Sequence, residues 1–72
     1  MKERSKRIIS SAERLFELGV QIEKARLEVV RLRELDDKSA LIKACERYSD
    51  LEKQFSEQER RHLRLLQAAC EA

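Results

Sequence analysis

Leu35-Asp36-Asp37-Lys38-Ser39-Ala40-Leu41, residues 35–41, separates two apolar seams that cannot share one side of one helix. Before this stretch a heptad seam runs through Ile8, Leu15, Ile22 and Val29, together with Leu18, Ala25 and Leu32. Continued past Leu35, the same seam meets only polar residues: Asp36, Ser39, Lys43, Glu46, Asp50, Lys53, Glu57, Arg60, Arg64 and Gln67. A new seam takes over at Leu41, Ala44, Tyr48, Leu51 and Phe55, then Leu65 and Ala69. The offset is about two residues, or roughly 200° of rotation at 100° per residue. A turn with two antiparallel arms reconciles the halves. A single long helix with a kink is the structural alternative.

Working outward, arm one spans about 4–35, the turn about 36–37 and arm two about 38–70. Ser5 is the expected cap of arm one. Asp36, flanked by Leu35 and Ala40 at hydrophobic-staple spacing, is the expected cap of arm two. No glycine stands at the end of arm one, so the usual left-handed terminator is missing. Each arm of about 32 residues would be roughly 48 Å long. Folding at the midpoint brings Ile22 toward Leu51, Val29 toward Ala44, Ile8 toward Leu65 and Leu15 toward Gln58. Ser11 then comes close to His62, in a polar stretch that interrupts the seam near the open end.

Composition agrees with long helices. Charged residues make up 42% of the chain and aromatics 4%, with no proline and one glycine. Regular apolar spacing separates the chain from disordered segments, which have no continuous stripe to bury. The net charge of +2 and pI near 8.7 fall below what a dedicated nucleic-acid domain carries. No apolar run reaches membrane-spanning length, and no signal-peptide core follows the basic start. Cys45 and Cys70 would lie about 37 Å apart along one helix, too far for an intrachain disulfide. A cytoplasmic location is therefore expected. Cys45, with no histidine in reach, reads as a small packing residue.

Arm one carries more apolar residues than one seam needs. Ile9, Phe16, Val20, Leu27 and Val30 form a second row about 150° from the first. A helix apolar on two opposed sides calls for a partner on each, and one chain supplies only one. The expectation is a non-enzymatic helical-hairpin interaction module, an adaptor or small chaperone-like subunit, without cofactor. Its expected partner is a second copy or another helical protein, completing a four-helix bundle. A nucleic-acid-binding hairpin dimer is the alternative. Lys2, Arg4, Lys6, Arg7, Arg60, Arg61 and Arg64 are the candidate contacts, gathered with Arg14 toward the open end and interleaved with Glu3, Glu13, Glu57 and Glu59.

Other patterns carry less chemistry. Glu59 and His62 have the Glu-x-x-His spacing of carboxylate-bridged metal bundles, but arm one offers only Ser11 and Arg14 opposite, so no metal is expected. Lys6-Arg7-Ile8-Ile9-Ser10-Ser11-Ala12-Glu13-Arg14-Leu15-Phe16 resembles the first helix of TetR-type repressors, yet the heptad runs straight on where their helix-turn-helix would follow. From Ile22 to Phe55 the layout is similar to small sporulation phosphatase hairpins. Their second-helix Ser-x-x-x-Asp motif is replaced here by Cys45 and Ser49. The chain also resembles the hairpin co-chaperones of type III secretion needle subunits in size, charge and two-arm layout. That resemblance implies a helical partner laid along the hairpin.

Overall fold

The computed structural model describes residues 2–71, and of Lys2 the backbone only. Two helices account for nearly all of it: α1, Lys2–Leu35, and α2, Lys38–Glu71. They pack against each other, and α2 runs back along α1, so that Ser11 stands 3.0 Å from both Gln58 and His62. The molecule measures 54 × 14 × 12 Å, the dimensions of two helices side by side with no third layer. Among the described residues no helix is long and apolar enough to cross a membrane.

α1 begins before the expected cap, and Ser5 lies inside its first turns. Glu3 in that first turn and Arg33 in the last both oppose the helix dipole. The turn works without glycine because Asp36 takes the left-handed conformation itself, with φ 56°. Aspartate tolerates this region better than most residues, since its short side chain can hydrogen-bond locally. Asp37 caps α2 in place of Asp36: its Oδ1 accepts from the Ala40 N–H at 3.2 Å. Its carbonyl accepts the first helical bond, from Leu41 N–H at 2.9 Å. With the cap shifted by one, Leu35 and Ala40 lose the staple spacing, and the Leu35 side chain is exposed.

Replacing Asp36 with glycine tests this turn. A non-glycine residue at positive φ carries a steric cost that glycine lacks. D36G is expected to stabilise the hairpin by about 0.5–1 kcal/mol, raising the thermal midpoint by roughly 5 °C. A lower midpoint by circular dichroism would mean that the aspartate side chain outweighs the strain.

The core is thin. Among the described residues the buried apolar side chains are Leu18, Ala25, Leu32 and Leu51. Ile22, Tyr48 and Phe55 pack half-buried against the Leu18–Ala25–Leu51 cluster. The remaining seam residues Ile8, Leu15, Val29, Leu41, Ala44, Leu65 and Ala69 are also half-buried. One stripe per helix is all that a two-helix plate can cover.

Candidate interaction surface

The surplus row of α1 faces away from α2. Ile9, Phe16, Val20, Leu27 and Val30 are all exposed, Phe16 to 74% and Leu27 to 54%. Their position follows from the helical repeat. With Ile8, Leu15, Ile22 and Val29 turned into the seam, residues one further along the heptad must turn outward. Glu23 interrupts the row between Val20 and Leu27. Arg26 holds it from the side, donating through Nη2 at 2.6 Å and Nε at 3.2 Å. This fork keeps the Glu23 carboxyl below its ordinary range and the Arg26 guanidinium above its own. Both groups are in water, so the pair adds little stability.

Gly19 lies at the edge of this row. A Cβ placed there would meet nothing within 4 Å, so the hairpin's own packing does not require glycine. The residue costs the helix about 1 kcal/mol relative to alanine, with no return inside the chain.

Further exposed apolar residues escaped the sequence reading: Leu35, Ile42, Leu63 and Leu66. On α2 the question of which apolar residues lie off the seam, asked of α1, would have found Ile42, Leu63 and Leu66. They form no continuous row. Ile42 sits beside the turn, and Leu63 is about 31 Å further along the helix. Cys45 also differs from expectation. It is exposed and unpaired, as is Cys70, because its place on α2 falls beside the seam rather than in it.

Near the open end the seam turns polar, as its residues require. Ser11 is 6% exposed, and its Oγ accepts a hydrogen bond from Gln58 Nε2. His62 Nδ1 lies at the same 3.0 Å and donates or accepts according to its tautomer. No buried side-chain nitrogen or oxygen among the described residues lacks a partner. Glu59 is exposed, and no group of three metal-ligating side chains occurs among the described residues.

The basic residues divide between two grooves. Lys6, Arg7 and Arg61 line one open groove with Ser10, Ser11, Gln58 and Leu65. Arg4 and Arg7 line its continuation toward the termini with Glu3, Leu65 and Ala68. Arg60 lines a separate groove with Glu52, Lys53 and Glu57, so it does not join that group. Arg64 is exposed, and the Lys2 side chain lies outside the described residues.

Compared with known proteins, the chain matches no family model, no curated protein and no solved structure.

Proposed function

We propose that this chain is a helical-hairpin protein–protein interaction module, without catalytic activity of its own, acting as an adaptor or small chaperone-like subunit. The observation that carries the reading is the exposed row Ile9, Phe16, Val20, Leu27 and Val30 on the side of α1 away from α2. Single exposed apolar residues are ordinary on protein surfaces, but an aligned row of five marks a contact face. Covering Phe16, Leu27 and Val30 would contribute about 1.5–3 kcal/mol for each side chain brought to full burial. A hairpin with so few buried side chains gains more from this than a larger domain would. The partner is a helical protein or a second copy of the chain, laid along α1 so that its own apolar stripe covers the row.

The test is F16E/L27E. Both positions are exposed, so the hairpin keeps its helicity. Tagged wild-type and variant chains are expressed in the native host and their bound proteins compared. Wild type should retain a helical partner, or untagged copies of itself, that the variant loses. An identical set of bound proteins would remove the row from consideration.

A second reading rests on the groove where Lys6, Arg7 and Arg61 converge from both helices. Phosphate contacts through these residues would let the open end bind nucleic acid, with Phe16 the one aromatic residue in that half of α1. Such binding is strongest at low salt. A gel shift at about 20 mM salt that disappears near 200 mM, and that R7E/R61E abolishes, is the expected result. No shift at the lower concentration would dispose of this reading.

A further inference from the structure

The charges beside the apolar row say which partner fits it. At 100° per residue, Glu13, Glu17, Lys24 and Arg31 fall within about 40° of each other along one flank of the row. All four are exposed. The two acids lie in the N-terminal half of this flank and the two bases in the C-terminal half. Glu17 and Arg31 reach only local surface partners, Arg14 at 3.7 Å and Glu28 at 3.2 Å.

The row has the same kind of symmetry. Phe16 and Leu27 stand at equal distances either side of a point near Gln21, while Ile9 and Val30 lie on opposite sides of it, about 12 and 9 residues away. The midpoints of Glu17 with Lys24 and of Glu13 with Arg31 fall within about one residue of that point. A surface whose large residues and opposite charges mirror each other about one point complements itself under a two-fold axis through that point.

We infer that the partner is a second copy of this chain, with α1 antiparallel to α1 of the other copy about an axis near Gln21. This rests on the interaction-face reading above. Phe16 then lies by Leu27 of the other copy, twice over, and Glu17 by its Lys24, also twice. Ala12 and Gly19 on the opposite flank are small enough for the backbones to approach closely, which gives Gly19 the use that the hairpin alone does not. A parallel pairing would bring Arg26 against Arg31 of the other copy and leave Glu17 facing alanine.

The arrangement follows from the angle between the two stripes. Helices at the corners of a four-helix bundle meet two neighbours at about 90°. Stripes about 150° apart instead give a flat layer in the order α2, α1, α1, α2, held by α1 at its centre.

Sedimentation equilibrium of the full chain at low ionic strength is the test, with helicity followed by circular dichroism. Wild type should pass from the 8.5 kDa monomer to a species of twice that mass. E17K and K24E should each raise the dissociation constant about tenfold, since each places like charges together at two symmetry-related points. The double variant E17K/K24E should return to within about threefold of wild type. Adding about 1 M salt should erase the differences. F16E should remain monomeric throughout. Wild type that stays monomeric at about 1 mM, or a double variant no better than the singles, would overturn the inference. A monomeric wild type that nevertheless loses a host protein on F16E/L27E substitution would separate the two: the second copy fails as partner while the face stands.

Discussion

Leu18→Ala is expected to unfold most of the hairpin at 25 °C. Leu18 is 1% exposed and stands at the centre of the cluster with Ala25 and Leu51. Truncating a buried leucine removes its transfer free energy and leaves a space that the surroundings fill only in part, costing about 2–5 kcal/mol. In a two-helix plate the cost falls toward the lower end, because Ile22, Tyr48 and Phe55 are half-exposed and can settle inward. Even about 2 kcal/mol is a large share of what so small a core supplies. The helical signal at 222 nm should fall by more than half relative to wild type at the same concentration. A variant that keeps its helicity and melts within about 3 °C of wild type would show that the hairpin does not depend on this cluster.

The second large effect has the opposite sign. Replacing the polar layer with apolar residues, S11A/Q58L/H62L, should raise the thermal midpoint by about 5–10 °C. Gln58 and His62 are half-buried, and leucine at each extends the apolar seam toward the open end, worth roughly 1 kcal/mol per position. Removing all three partners together leaves no donor or acceptor stranded, whereas removing Ser11 alone would. The gain has a counterpart in specificity. Ser11 meets both Gln58 and His62 in one register only, and a sliding apolar seam lacks that constraint. Amide spectra of the triple variant should show broadened or doubled signals from both helices beyond residue 58 and before residue 15. A destabilised triple variant would mean that the hydrogen bonds outweigh the apolar gain.

Much of this architecture was legible in the chain itself. The seam change across residues 35–41 pointed to two helices facing each other, with a single kinked helix as the alternative. The inward residues then followed from heptad spacing, down to Ser11 beside His62. What could not be read was decided by single dihedral angles. Nothing in Asp36-Asp37 announces which aspartate turns left-handed and which caps, because either type of role suits either residue. The structure gives the positive φ to Asp36 and the cap to Asp37, and that one-residue shift also releases Leu35 to solvent. Ser5 misled for a related reason: a serine can cap a helix but does not have to start one, and Lys6-Arg7 leaves no break at that point. Cys45 was misplaced because it lies between seam positions Ala44 and Tyr48, where a small residue packs or not according to how tightly the helices approach.

The outward row of α1 was equally legible as a row, since its spacing is the same helical repeat. Under the proposal above a second copy would cover it, and the chain's sequence bears on that only indirectly, through the order of Glu13, Glu17, Lys24 and Arg31.

The tight connection at Asp36-Asp37 also sets how the chain reaches its native state. Contacts next to it join residues a few positions apart, as in the Ala40 to Asp37 bond, while the link from Ser11 to His62 closes 51 positions. Short closures are entropically cheap, so pairing should begin at the bend and zip toward both termini within microseconds to milliseconds. The free ends are the last to zip and the first to come apart. In native-state hydrogen exchange, protection should therefore decline from the Leu18–Leu51 level toward Arg4 and Cys70.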